Sequence, residues 1–338
     1  MTYKISILVT GGAGYIGSHC SKAAAEAGFM PICYDNLSTG HADFARWGPL
    51  IVGDIHDSGK LTSVIREHNV QAVMHFAAFS AVGESVVDPQ KYYFNNVAGT
   101  LALLRGMRDA GCDKLVFSST GAVYGNAGRD PIQESAAGQT VNPYGRSKWM
   151  VEQILTDYRA AYQFNSVCLR YFNACGADPS GSIGERRDPE THLIPRALMA
   201  LQGHVSNFAI FGEDYDTPDG TAVRDYIHVN DLAAAHVAAL QLLLNGGSGG
   251  AFNLGTGVGY SVRQIVDAVL AETGRSVPLV VRERRAGDPP ILVADPAQSE
   301  TALGFKATHS GLPDIIRSAW AWHQKAHPLR EDIREAQA

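Results

Sequence analysis

The 338 residues carry a formal net charge of −6, with 45% hydrophobic and 18% charged side chains, the balance of a folded globular chain and not of a disordered one. No run of Lys and Arg is long enough to follow a phosphate backbone, so nucleic acid is not an expected partner. No apolar run reaches the roughly 18 residues of a membrane span, no leader pattern opens the chain, and the odd, scattered cysteines (Cys20, Cys33, Cys112, Cys168, Cys175) read as reduced core thiols of a cytoplasmic protein.

Ile5–Thr10 is a short apolar run that ends in glycines, as a buried parallel strand does. Tyr15–Ala27 has helical periodicity and stops near Gly28, and Met30–Tyr34 is a second apolar run ending at Asp35. Further strands are predicted at Leu50–Val52, Ala72–Phe76, Leu115–Ser118 and Val167–Tyr171, with helices at Lys60–Glu67, Gln90–Asp109 and Ser147–Ala161. Such alternation with short connections indicates an α/β, Rossmann-type, doubly wound parallel sheet. After about Asn173 the alternation weakens. Ala177–Pro189 reads as a loop, Leu193–Gln202 as a helix, Phe208–Phe211 as a strand, Asp214–Gly220 as turns, Asp231–Leu244 as an Ala-rich helix and Gly246–Gly250 as a flexible connector. The expected organisation is a dinucleotide-binding domain over residues 1–175 and a smaller C-terminal α/β substrate lobe over 176–338, some of whose segments can return to the first domain. A ligand cleft then lies at the carboxyl edge of the sheet.

Gly11-Gly12-Ala13-Gly14-Tyr15-Ile16-Gly17 follows the first strand and opens the first helix. Glycines there allow a tight turn and let the backbone approach a pyrophosphate, which the helix N-terminus attracts. Asp35 stands where an acidic residue bonds the adenosine ribose, and its carboxylate would repel a 2′-phosphate, which favours NAD over NADP. Asp54, in Gly53-Asp54-Ile55, ends another strand at the same edge and suits an adenine contact.

Tyr144 and Lys148 stand four apart, on one face if the segment is helical. An ammonium beside a phenol favours the phenolate, lowering a pKa of about 10 and creating a general base. Phe117-Ser118-Ser119-Thr120 ends an apolar strand upstream, with hydroxyls suited to share a hydrogen bond with Tyr144 and a substrate oxygen.

With these residues in place, the chain resembles the UDP-glucose 4-epimerases of the extended short-chain dehydrogenase/reductase family over nearly its whole length. The resemblance is carried by Val9–His19, Ala81–Ser85, Asn95–Val97, Arg170–Asn173 and Val223–Val229. It implies Thr120 as the catalytic hydroxyl, Tyr144 as the base and Lys148 as its tuning cation. Inversion at C4 of a UDP-sugar would then pass through a transient 4-keto sugar that turns over between two hydride transfers. NAD contacts are implied at Gly11, Gly14, Tyr15, Ile16, Gly17, Asp35, Asn36, Asp54, Ile55, Phe76, Ala77, Ala78, Asn95, Ser118 and Phe172, as well as at Tyr144 and Lys148. Substrate contacts are implied at Thr120, Tyr144, Asn173, His192, Leu193, Phe211, Arg224, Arg285, Asp288 and Leu292, the two arginines holding the diphosphate. No metal is implied, and a homodimer through the helices at Gln90–Asp109 and Ser147–Ala161 is. Read without the resemblance, Arg224-Asp225 is better taken as a surface ion pair, and Arg282–Arg285 as a solvated charge run.

Three positions depart from the enteric-type pattern: Ser80 replaces a frequent lysine near the cofactor, His192 a frequent asparagine, and Leu292 a bulky Tyr of enzymes restricted to plain hexoses. Arg187–Pro195 and Asp214–Gly220 resemble the branch of exopolysaccharide and UDP-xylose/UDP-arabinose epimerases. Pentose and N-acetylhexosamine substrates are therefore alternatives to glucose and galactose. A nucleotide-sugar 4,6-dehydratase or a UDP-glucuronate decarboxylase would need an acidic residue close after Thr120, where this chain has Gly121-Ala122-Val123. A non-catalytic NAD-binding sensor would have no use for Thr120, Tyr144, Lys148 and the arginines together.

Overall fold

The computed structural model describes residues 5–128, 131–285 and 288–328. The first part of the chain forms β1 (Ser6–Thr10), α1 (Tyr15–Glu26), β2 (Met30–Asp35), β3 (Leu50–Val52), α2 (Ser58–Glu67), β4 (Val70–His75), α3 (Val82–Val87), α4 (Pro89–Tyr92), α5 (Gly99–Ala110) and β5 (Lys114–Ser118). Then come α6 (Pro143–Tyr162), β6 (Asn165–Tyr171), β7 (Asn173–Cys175), α7 (Leu193–Leu201), β8 (Phe208–Phe211), β9 (Val223–His228), α8 (Val229–Leu244) and β10 (Gly250–Leu254). The chain continues with β11 (Gly259–Ser261), α9 (Val262–Thr273), β12 (Leu279–Arg282), β13 (Ile291–Leu292), α10 (Ala297–Leu303) and α11 (Leu312–Ala326).

Seven parallel strands form the main sheet in the order β10-β6-β5-β4-β1-β2-β3. The strand order reverses between β1 and β4, and a doubly wound sheet opens its ligand crevice at such a point. Apolar residues of β1, β4, β5 and β6 pack on both faces: against α1 and α8 on one side, and against α2, α5 and α6 on the other. That two-sided burial explains strands without polar alternation. A separate core joins α7, β8, β9, α9 and α11, served by the small sheet β11-β9-β13 with β7 on β9, and by the pair β12-β8.

Two segments from beyond residue 175 return to the main sheet. Helix α8 covers it, and β10 pairs with β6 from Gly250↔Val167 to Leu254↔Tyr171. Strand β10 has no counterpart among the predicted elements; glycines before it disguise a strand whose Asn253 is held by side chains from elsewhere. The helix expected over Gln90–Asp109 is also interrupted, by a π-type turn at Tyr93–Ala98. There the inward-turned Asn96 side chain bonds both backbone groups of Phe79, a local irregularity of the kind found at functional sites. Helix α6 begins earlier than the expected Ser147, because Asn142 caps it through the N–H of Gly145 at 2.8 Å and Pro143 sets its first turn. All five cysteines are buried and free, and no described helix is long and apolar enough to cross a membrane.

Candidate active site

At the end of β1 the chain turns through Gly11, whose φ of 73° suits glycine and whose added Cβ would lie 2.6 Å from Ala77 N. A Cβ on Gly17 would meet Gly11 O at 2.1 Å, so α1 packs on the turn at glycine distance. Gly14 is the N-cap of α1 and brings no side chain to it. The amides of the first turn, which includes Tyr15 and Ile16, are thus left to an anion. Asp35 closes β2 and is buried; its Oδ2 accepts from Ala13 N at 3.0 Å and its Oδ1 from Leu37 N at 2.8 Å. Those two bonds aim the carboxylate and leave lone pairs for a diol. Asn36 donates to Asp54 at 3.0 Å, and Asp54 also takes His56 at 2.7 Å. Burial pushes the Asp54 carboxyl up, but the His56 amide, Asn36 and the His56 ring together hold it below its ordinary value. Ile55 is a core side chain, so it offers the cleft no side-chain surface.

Beyond β4, Phe76 N bonds Thr10 O at 2.8 Å, and the Phe76 ring lies 4.9 Å from that of His236. Ala77 closes on Gly11, and Ala78 beside it is half-buried. Asn95 donates to Asn96 Oδ1 at 3.0 Å. Asn96, which was no predicted site residue, reaches Ser147 Oγ at 3.1 Å and so ties the loop after β4 to α6. Its position in the Asn95–Val97 stretch was the available signal.

On α6, Tyr144 and Lys148 do share a face. Lys148 is buried and donates to Ser118 O at 2.8 Å at the end of β5, with its ammonium 4.8 Å from the Phe117 ring centroid. Burial pulls its pKa down to about 7, against which the carboxylate of Glu152, one turn on, pushes up. Tyr144 is also buried, and desolvation raises its hydroxyl; a hydrogen bond with Thr120 and the Arg187 charge oppose that rise. Thr120 accepts Ala122 N at 3.1 Å, and Ser118 Oγ meets Tyr171 Oη at 2.6 Å. Thus Ser118, Thr120, Tyr144 and Lys148 converge at one edge. Phe172 stacks on Tyr124 at 6.1 Å, against Gly121.

Sequence reasoning also missed the layer beneath this edge. Arg170 Nη2 lies 2.5 Å from Glu152 Oε2, both side chains only 5% exposed. Ser119 donates to Glu152 at 2.5 Å, while Arg170 also reaches Tyr124 and the backbone of Glu134. The spacing Tyr144, Lys148, Glu152, four residues each, was legible as a third residue on the same helix face.

On the lobe side, Arg224 pairs with Asp288 at 2.5 Å and not with its neighbour Asp225. Asp225 instead accepts from the loop after β10, from Thr256 N and Oγ1. Arg285 lies 4.1 Å over the Phe211 ring. Leu292 stands opposite Arg224 in the β13–β9 register and packs on the cluster of Val123, Tyr124, Ile132 and Phe172. Asn173 donates to Asp225 O at 2.9 Å. His192 precedes α7 and meets Glu185 at 2.6 Å, and Leu193 opens α7 against the lobe core.

A glycine turn with an uncapped helix at a switch point, an acidic residue closing β2 and a buried Tyr–Lys pair beneath a hydroxyl are the features of a nucleotide-dependent oxidoreductase or isomerase. Residues 7–255 match the NAD dependent epimerase/dehydratase family, and the chain belongs to it. It is 50% identical over 320 residues to a UDP-glucose 4-epimerase of Rhizobium meliloti (strain 1021), covering 95% of this chain and 97% of that one. The UDP-glucose 4-epimerase of Brucella ovis, solved in complex with NAD, superposes with a TM-score of 0.93 at 51% identity, over 96% of this chain and 99% of that chain. A UDP-glucose-4-epimerase of Stenotrophomonas maltophila, with bound NAD and formylated UDP-arabinopyranose, does so with a TM-score of 0.92 at 40% identity, over 95% and 98%.

Proposed function

We propose that this chain is an NAD-dependent isomerase that inverts C4 of a UDP-sugar, with UDP-glucose and UDP-galactose as its pair. One observation carries the reading: Tyr144 and Lys148 are buried on one face of α6, at the end of the strand that supplies Thr120. The cradle suits NAD, since Gly11 and Gly17 leave no room for side chains, the helix above them is uncapped, and Asp35 is aimed by two amides. When bound, NAD supplies the acceptor and donor of hydride. Ionised Tyr144 takes the proton of the sugar 4-hydroxyl and later returns it to the same oxygen, after the 4-keto sugar has turned its other face to the cofactor site. Thr120 holds the phenol oxygen by hydrogen bond against the desolvation that raises it, and Lys148, fixed on Ser118 O one turn along the helix, would orient the cofactor ribose. Asn95, Ser118 and Phe172 flank the cofactor side. Arg224 and Arg285 would bind the diphosphate and Asp288 a ribose hydroxyl, so the Arg224–Asp288 pair opens toward the ligand. Asn173, His192, Leu193, Phe211 and Leu292 would face the nucleotide and sugar.

Incubation with UDP-galactose and no added cofactor tests this, because an isomerase that regenerates its cofactor retains it. UDP-glucose as product is the expected result. Bound NAD with no conversion would reject the glucose/galactose pair in favour of a pentose or N-acetylhexosamine pair; no bound NAD would reject the reading itself.

Leu292 bears on the sugar because it is only half-buried and stands beside Phe172 and opposite Arg224. Leu292→Tyr is expected to lower turnover of UDP-GalNAc relative to UDP-galactose by roughly ten-fold, about the discrimination that a small change of pocket volume supports. Parallel rate measurements on the two substrates check it, and an unchanged ratio rejects the role.

The chain is further proposed to be cytoplasmic, in keeping with five unpaired buried thiols, and to form a homodimer. Apolar side chains stand exposed along α3, the π-type turn, α5 and α6, among them Val87 at 86%, Phe94 at 62%, Leu101 and Met150. They flank the helices expected to pair.

A further inference from the structure

The segment over residues 176–187 runs along the carboxyl edge of the main sheet and is fastened on both sides of the glycine turn. It starts on α1, where Tyr15 Oη donates to Gly176 O at 2.6 Å and Lys22 pairs with Asp178. In the loop after β2, His41 Nε2 meets Arg186 O at 3.0 Å, and Asp43 pairs with Arg186 Nη2 at 2.6 Å. The Arg186 guanidinium also lies 4.7 Å from the Phe44 ring centroid. In the loop after β4, Ser80 Oγ accepts from Arg187 Nη1 at 3.3 Å. Strand β1 stands between β2 and β4 in the sheet. Neighbouring strands are about 4.8 Å apart, a gap that one peptide unit and an arginine side chain are long enough to bridge twice over. Arg186 and Arg187 therefore cross the end of β1, beside the uncapped N-terminus of α1.

Both loops that this dipeptide joins are built onto the glycine turn itself. His41 N donates to Ala13 O at 2.8 Å, and a Cβ on Gly40 would lie 2.8 Å from Asp35 Oδ1. On the other side, Ala77 N is the atom that a Cβ on Gly11 would meet. The Arg187 end of the crossing is anchored inward. Glu185 is buried, its Oε1 accepts Arg187 Nε at 3.0 Å, and its carbonyl accepts Trp322 Nε1 at 2.8 Å. The Arg186 end is the open one, with the side chains of Arg186 and Asp43 34% and 55% exposed. Burial pushes the Asp43 carboxyl up, but the hydrogen bond and charge of Arg186 hold it below its ordinary value.

We propose that Arg186 and Arg187 form a strap that closes the NAD site at the glycine turn, and that the cofactor leaves when Arg186 lets go of Asp43. This rests on the reading that the glycine turn receives NAD. A strap fixed at one end and held at the other by an exposed ion pair opens without unfolding the sheet beneath it, as loops that gate ligand release do. It suits an isomerase that regenerates its cofactor, since such an enzyme has no need to exchange it at each turnover. Arg186 and Asp43 are then retention residues: they govern how long NAD stays and take no part in the proton and hydride steps.

The test is the rate at which the holoenzyme exchanges its bound NAD for an excess of isotope-labelled NAD, with Tm and kcat at saturating NAD measured alongside. Asp43→Ala and Arg186→Ala should each speed exchange by about two- to five-fold, the range that an exposed ion pair supports. The double variant should exchange no faster than Arg186→Ala, because both changes remove the same contact. Asp43→Glu keeps the carboxylate on an exposed side chain and should restore the wild-type rate. Tm and kcat should match wild type throughout. If Arg186→Ala fails to fold, Asp43→Ala against Asp43→Glu carries the test alone. Exchange at the wild-type rate in Asp43→Ala overturns the proposal. So does faster exchange in Asp43→Glu equal to that of Asp43→Ala, or faster exchange that comes only with a fall in Tm. Wild-type protein that carries no NAD rejects the reading of the glycine turn instead.

Discussion

Tyr144→Phe should lower kcat by about a thousand-fold, within the range that a positioned general acid–base group contributes, while the protein still purifies with its NAD. The residue is buried, and the hydroxyl is the only atom removed, so the ring keeps its packing beside Tyr92. What is lost is the group that carries a proton at the one place where Thr120 and a cation stabilise its ionised form. The sign of the pH dependence follows. Desolvation raises the Tyr144 hydroxyl, and the reaction needs it ionised in the forward half. Activity should therefore rise with pH through an acid limb that belongs to this group. The variant keeps the glycine turn, Asp35 and Lys148 on Ser118 O, so NAD content separates a chemical from a structural defect. Single-turnover rates and the absorbance of the released cofactor provide the check; near-normal turnover in the variant would sink the assignment.

The nucleotide half was legible because each of its parts is local. A glycine turn between an apolar run and a helical period, and an acidic residue at the next strand end, lie within 35 residues of sequence and need no tertiary information. Helical spacing likewise put Tyr144 and Lys148 on one face. Contacts made across long sequence separations were not legible. Asn253 on β10 bonds Tyr124, 129 residues away, and nothing in Gly246–Gly250 announces that a seventh strand follows. The π-type turn at Tyr93–Ala98 keeps the composition of an ordinary helix, and only the Asn96 contacts to Phe79 and Ser147 show why it widens. Arg224 illustrates the same limit: adjacency suggests Asp225 as its partner, whereas strand pairing turns Asp225 toward Thr256 and brings Asp288 from 64 residues away.

Breaking the ion pair under the catalytic edge should cost more stability than any other single change named here. Arg170→Leu would leave the Glu152 carboxylate buried with Ser119 as its remaining side-chain hydrogen bond, and removal of one partner of such a pair costs about 3–5 kcal/mol. For a chain of this size that is a fall in Tm of roughly 4–7 °C. Tyr124 Oη and the Glu134 carbonyl would lose a donor as well. Replacing both members, Glu152→Leu with Arg170→Met, removes the stranded charge and should recover most of the loss, since an apolar pair of similar volume is often as stable as a buried ion pair. Activity should not recover with it. Glu152 is the group that pushes the Lys148 ammonium back up against desolvation, so without it the lysine falls further below about 7 and is neutral at neutral pH. The double variant should thus melt near wild type yet turn over at least ten-fold more slowly at pH 7, with the deficit narrowing as pH is lowered and Lys148 regains its proton. Thermal unfolding and kcat measured side by side separate the two roles: an unchanged Tm in Arg170→Leu would reject the structural one, and a fully active double variant at pH 7 would reject the electrostatic one.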